Sequence, residues 1–319
     1  MKNNILTWLS PLIDAARASA EQGRSAHALL ISGAVGTGKR VAAAWLAARH
    51  LALAGEDSLP QYPALVPENA DLRWIRPLED KHTIGIDQIR ALVNELSLTS
   101  YTGRGKVAII EPANAMTVSA ANSLLKTLEE PPGNALLILV ADRQGRLPAT
   151  IVSRCQRLHV NPPSTEDGIA WLDCARPGQN WSKILGEAGN APLAALAAYE
   201  RQDETDGMGL DFAAVAEGVK KPLQVAANWA KYEPEFVLSW MGRQIMSCIL
   251  RVSGGAPRGV STIISDSVLR RVDRRNLFCY LDIINRLRSQ PVGSFNVQLT
   301  LECLLIDWAG GLRTVMDNE

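Results

Sequence analysis

Apolar residues along this chain fall into two regimes. Through the first half, short continuous apolar runs alternate with stretches of helical period. His27 to Ser32 is one such run, ending at a glycine-rich turn, and an Ala-rich helix is predicted over Arg40 to Leu51. Val107 to Ile110 and Leu136 to Val140 are two more, with a helix predicted between them over Val118 to Glu130 and stopped by Pro131-Pro132. A run without polar alternation suits a strand buried on both faces. Strands separated by helices then imply a parallel sheet covered on both sides. The N-terminal stretch as far as Gly23 carries apolar positions at helical spacing, interrupted by Asp14, Arg17 and Glu21, which predicts a surface helix rather than a signal peptide.

The second regime begins near Asn161-Pro162-Pro163, beyond which the pattern predicts helices and no strand. Ser164-Thr165-Glu166-Asp167 has the form of a helix N-cap with acids in the first turn, where the helix dipole favours them. A small helical region follows to about Glu200, and the polar stretch Arg201 to Gly209 reads as a linker. Amphipathic helices are predicted over Val237 to Leu250, Arg274 to Leu287 and Val297 to Trp308, with a loop at Gly254-Gly255-Ala256-Pro257. The expected organisation is therefore an α/β domain with a parallel sheet over 1–163, a small helical domain over 164–207 and a larger all-α domain over 208–319.

Composition narrows the functional classes. The 319 residues are 47% apolar, enough for more than one core, and 33 basic residues balance 33 acidic ones. A surface that gripped nucleic acid throughout would be basic, so any DNA contact is local or shared with partners. The five cysteines are odd in number and form no C-x-x-C pair, and the four histidines have no metal spacing. No zinc or disulfide framework is expected, and a cytoplasmic protein is. No apolar run approaches the roughly 18 residues of a membrane span.

The chemistry concentrates at the end of the first strand. Gly33-Ala34-Val35-Gly36-Thr37-Gly38-Lys39 matches the G-x-x-x-x-G-K part of a phosphate-binding loop, in the strand-to-helix setting such a loop needs. Gly33, Gly36 and Gly38 let the backbone curl so that N–H groups converge on a phosphate, and Lys39 is placed to reach its outer oxygens. The competing reading is that these residues only shape a turn. After the lysine, Arg40 stands where Ser or Thr would ligate Mg²⁺. After the next core strand, Glu111 occupies the position of the metal-orienting acid and Pro112 that of the acid that polarises water. Both the metal and the proton-transfer requirement fail, so no ATP hydrolysis by this chain alone is expected. Weak ATP or ADP binding stays open, and no cofactor is required.

Three further segments carry a family resemblance. Asn122 to Pro132 (NSLLKTLEEPP), Leu147 to Cys155 with its Ser153-Arg154-Cys155, and Thr83 to Arg90 resemble, in order and spacing, segments of the AAA+ clamp-loader subunits. The match covers residues 1–165, and the helical remainder suits that family's lid and collar. Unlike many members, Leu51 to Arg76 holds no cysteine for a zinc module. Within the family, a broken ATP site combined with an intact Ser-Arg-Cys points to the delta-prime branch, the alternative being an active gamma/tau-like ATPase. The resemblance implies a catalytically inactive subunit beside gamma/tau and delta subunits in a heteropentameric ring. It implies contact with the sliding clamp and primer-template DNA mainly through the assembled complex.

It also implies that Arg154 is an arginine finger, directed in trans at ATP held by a neighbouring gamma/tau subunit, where a guanidinium offsets charge developing on the γ-phosphate. Taken alone, Arg154 reads rather as a surface arginine paired with an acid. Ser153 and Cys155 are expected to support Arg154, with Cys155 a buried small hydrophobe. The helix starts near Thr83 to Gln88 and Thr117 to Ala120 either face DNA phosphates or are ordinary caps. Gly189 to Leu193 falls where relatives have a lid loop and helix start, and no chemistry is assigned to it.

Overall fold

A computed structural model describes residues 4–22, 26–53, 58–66, 68–79, 81, 83–142, 147–254, 263–288, 290 and 295–312. Residues 255–257 of the loop expected at Gly254 to Pro257 lie outside this set. The chain divides into two compact units, 1–199 and 200–319.

The first unit is built on five parallel strands: β1 (Ala28–Ser32), β2 (Leu72–Ile75), β3 (Val107–Ile110), β4 (Leu136–Ala141) and β5 (Gln156–His159), in the order β2-β3-β4-β1-β5. The continuous apolar runs are the three central strands, and every residue of β1, β3 and β4 is buried. The twofold period of a strand sorts their side chains between two cores. Leu29, Ile31, Val107, Ile109, Ile138 and Val140 pack with α1 (Ser10–Glu21), α2 (Lys39–His50), α6 (Thr165–Ala175), α7 (Trp181–Glu187) and α8 (Pro192–Glu200). Leu30, Ala108, Ile110, Leu137 and Leu139 face α3 (Ile86–Leu96), α4 (Val118–Glu129) and α5 (Ala149–Val152).

The two strands that the apolar pattern did not predict, β2 and β5, are the sheet's edges. Each has a half-open or polar face, so neither is a continuous apolar run: Arg73 interrupts one, and Gln156, Arg157 and His159 leave only Leu158 buried in the other. The proposed start of a lid at 164 also differs from the packing. Trp171, Leu172, Trp181, Leu185 and Leu196 share one hydrophobic cluster with the sheet. Ser164 caps α6 as expected, accepting from the Asp167 N–H at 3.1 Å.

The second unit is helical: α9 (Gln202–Ala216), α10 (Pro222–Trp229), α11 (Pro234–Val252), α12 (Asp266–Leu269), α13 (Arg274–Arg288) and α14 (Val297–Ala309). The stretch read as a linker, Arg201 to Gly209, instead opens α9. Its polar residues occupy the outer face while Met208 and Phe212 enter the core. Phe212 stacks on Trp308 at 4.4 Å, and Trp308 donates its indole N–H to the Phe212 carbonyl at 3.0 Å. Among the described residues no helix is long and apolar enough to cross a membrane.

Candidate functional site

Parallel pairing sets all five strands' carboxyl ends on one edge of the sheet, where ligands of open α/β folds bind. The phosphate-loop sequence leaves that edge from β1. Gly36 and Gly38 have φ of +81° and +95°, a left-handed backbone that glycine adopts without strain. The Lys39 ammonium, the Thr37 hydroxyl and the Gly36 and Thr37 carbonyls, however, are engaged by the chain itself. The Lys39 ammonium is almost fully buried, 2.6 Å from the Ala34 carbonyl and 2.9 Å from a carboxylate oxygen of Asp142 at the end of β4. Thr37 turns its hydroxyl to the same Ala34 carbonyl at 2.9 Å. The Trp8 indole donates to the Thr37 carbonyl at 2.8 Å, and Leu193 at the start of α8 donates its N–H to the Gly36 carbonyl at 3.1 Å. A Cβ placed on Gly36 would lie 2.4 Å from the Ala194 nitrogen. The Gly189 to Leu193 segment, to which the sequence assigned no chemistry, is thus a direct contact of the loop.

Beside it, Glu111 follows β3 and gathers cations rather than a metal's water shell. Its Oε2 accepts from the Trp74 indole at 2.9 Å and from Arg76 at 3.1 Å, with Arg40 Nε 3.8 Å away. The guanidinium carbons of Arg40 and Arg76 lie 5.3 and 5.1 Å from the Trp74 ring centroid, within range of a cation–π attraction. Arg40 therefore puts a fixed positive charge next to the acid at the place where Mg²⁺ would otherwise supply it. Trp74, Arg76 and Asp142 were not foreseen. Trp74 and Arg76 belong to the unrecognised edge strand and its exit, and Asp142 follows an apolar run that gives no chemical signal of its own.

Ser153-Arg154-Cys155 occupies the turn between α5 and β5, at the opposite end of the sheet. The register pairs Leu29 with Gln156 and Ser32 with His159, so Arg154 precedes the amino end of β5 while the phosphate loop follows the carboxyl end of β1. At about 3.3 Å per residue, the four residues of β5 separate these ends by roughly 13 Å. Arg154 is partly exposed and forms an ion pair with Glu129, the last residue of α4. Its Nε donates to Glu129 Oε1 at 2.6 Å and its Nη1 to the Thr150 carbonyl at 3.0 Å. Ser153 donates to the Thr150 carbonyl at 3.2 Å and lies 3.4 Å from Arg154 Nη1. Cys155 is buried, and burial pushes its thiol up to about 11, away from thiolate chemistry.

At the helix starts, Thr117 accepts the Ala120 N–H at 3.2 Å and Gln88 accepts the Gly85 N–H at 3.2 Å, as ordinary caps do. Near the amino ends of β2 and β3, buried Asp71 organises a different loop. It accepts from the Tyr101 and Thr102 N–H groups and from the Ser100 and Thr102 hydroxyls, all at 2.9 Å. Burial alone would raise its pKa, but these four donors together hold it at about 2.

A parallel sheet of this order, with a degenerate phosphate loop leaving its first strand and a separate helical unit later in the chain, defines an AAA+ protein of P-loop descent. A family model described as DNA polymerase III, delta subunit, matches residues 9–164. The chain is 30% identical over 311 residues to the DNA polymerase III subunit delta' of Pseudomonas aeruginosa, covering 90% of this chain and 93% of that protein. It is 29% identical over 272 residues to the same subunit of Escherichia coli, covering 78% and 77%. The chain belongs to the DNA polymerase III delta' subunit family. Among solved structures, a gamma subunit-related protein from Thermotoga maritima shares the fold with a TM-score of 0.53 and 20% identity, over 94% of this chain and 99% of that one.

Proposed function

We propose that this chain is the non-hydrolysing member of a clamp-loader ring, and that it contributes Arg154 to ATP bound by an adjacent gamma/tau subunit. The observation that carries this reading is the position of Arg154. It stands at the end of the sheet remote from its own phosphate loop, out of reach of a phosphate held there, which supports action on a neighbour's nucleotide. A guanidinium placed on the γ-phosphate offsets charge spread over the equatorial oxygens and contributes about 10³ to 10⁵ in rate in other phosphoryl-transfer systems.

The chain's own loop is read as a strut. A magnesium nucleotide would have to break the Lys39–Asp142 pair and meet Arg40 where a metal ligand is needed, so at most weak binding is proposed. The working partners are gamma/tau and delta subunits, with sliding clamp and primed DNA met through the assembly. Two measurements test the proposal. The isolated chain is expected to show no ATP turnover and at most weak, Mg²⁺-independent binding of labelled ATP. Reconstituted with the other subunits, it is expected to support DNA-stimulated turnover that Arg154→Ala depresses. Brisk hydrolysis by the lone chain, or a complex indifferent to the substitution, refutes it.

A further inference from the structure

We infer that Glu129 is the counter-ion that holds Arg154 until a neighbour's phosphate displaces it, so that this carboxylate sets how readily the trans site takes up ATP. The inference rests on the reading of Arg154 as a finger and adds a second residue to it.

Among the described residues, four contacts engage the guanidinium within its own chain. Nε and Nη2 both face Glu129, while Nη1 reaches the Thr150 carbonyl at 3.0 Å and the Ser153 hydroxyl at 3.4 Å. A guanidinium has five N–H donors, and gripping a phosphate in the two-pronged manner takes two on one edge. With these contacts in place the Nε–Nη2 edge is taken, so a phosphate that grips that edge displaces Glu129. Of the partners, Glu129 alone carries charge. It neutralises the guanidinium and repels an approaching anion, and releasing it recovers the full positive charge.

The location suits an exchangeable partner. Glu129 closes α4, followed by Glu130 as its C-cap and by Pro131, so the carboxylate is presented at a firm helix end. Half of its side chain is open to water, and Arg154 is 34% exposed. An ion pair at that exposure is weak, and a multiply charged phosphate bound to an adjacent subunit outcompetes it. The contrast with Lys39 is instructive, because that ammonium is 6% exposed and has no such freedom to change partners.

The test uses the reconstituted complex and the ATP dependence of its DNA-stimulated turnover. Glu129→Gln keeps the shape and removes the charge, and is expected to lower the KM for ATP by about two- to five-fold, the range a partly exposed ion pair covers. Glu129→Asp keeps the charge and is expected to return KM toward the unaltered value. In an Arg154→Ala background, Glu129→Gln is expected to have no effect on KM. A KM unchanged or raised by Glu129→Gln, while Arg154→Ala still depresses turnover, overturns the role of Glu129 and leaves the finger standing. A fall in kcat without a lower KM assigns Glu129 a structural part and overturns the inference equally. If Arg154→Ala leaves turnover intact, the finger itself fails, and that result is recognisable apart from the others.

Discussion

The phosphate loop and the Ser153-Arg154-Cys155 turn lie at opposite ends of one sheet, and their charges are held in opposite ways. At the loop, Lys39 is sealed between a backbone carbonyl and Asp142, and the backbone of Gly36 is in contact with α8. At the turn, Arg154 is partly open to water and paired with a half-exposed acid. The loop retains the glycines and lysine of a nucleotide site and uses them for internal contacts. The turn carries the short Ser-Arg-Cys motif and keeps a reachable charge. What separates them is the solvent access of the cation: Lys39 is 6% exposed, so freeing it from Asp142 strands its charge in a poor solvent, whereas the 34% exposed Arg154 is readily traded between partners.

The largest effect that can sharpen this comparison is kinetic. Arg154→Ala is expected to slow hydrolysis at the neighbouring site by about 10³-fold in the reconstituted complex, while the subunit still co-purifies with its partners. A loss of assembly instead of turnover would make the turn a structural element like the loop.

The loop is expected to show its structural role as stability. Gly36→Ala places a methyl 2.4 Å from the Ala194 nitrogen in a backbone with φ of +81°, and is expected to destabilise the first unit by about 2–4 kcal/mol in urea denaturation. Gly103 has a similar φ of +74° but open space around it, so Gly103→Ala is expected to cost about 1 kcal/mol. Equal losses at the two positions would show that α8 contributes nothing at Gly36.

Asp71 provides a sealed charge with no nucleotide ancestry. Asp71→Asn is expected to cost about 2 kcal/mol near neutral pH, because the donors around it lose an ionised acceptor. Its folded pKa of about 2 lies below the usual carboxylate value, so the carboxylate's contribution is present above about pH 4 and fades as pH falls toward 2. The stability gap between the two proteins, followed by denaturation across that window, is expected to close in the same direction. A gap independent of pH would show that shape, not charge, holds the Ser100 to Thr102 loop.

The smallest expected effect is chemical. A thiol reagent at mild alkaline pH is expected to label exposed Cys174 and Cys303 quickly, and to reach Cys155 and Cys248 only on unfolding, since burial pushes both of these thiols up to about 11. Rapid labelling of Cys155 in the folded chain would mean that the turn opens more than its packing implies.

Much of this architecture was legible in the order of residues, and the reasons are local. Continuous apolar runs named β1, β3 and β4 because strands covered on both faces have no polar side to show. Edge strands β2 and β5 escaped because one face of each is polar, and the opening of α9 passed for a linker because its outward face is charged. The defects of the phosphate loop, Arg40 and Pro112, could be read directly, since a missing hydroxyl or carboxylate is a property of one side chain. The family resemblance rested on three short segments for the same reason.

Long-range pairing was beyond such reading. That Lys39 meets Asp142, that Glu111 collects Trp74, Arg76 and Arg40, and that Glu129 closes on Arg154 depends on which strand ends and helix ends the sheet brings together. These partners stand 103, 71 and 25 positions apart in the widest pair of each set (39 to 142, 40 to 111, 129 to 154). The residue types were written in the chain, but the parallel register decided which charges meet, and that Lys39 is buried while Arg154 stays within reach of another molecule.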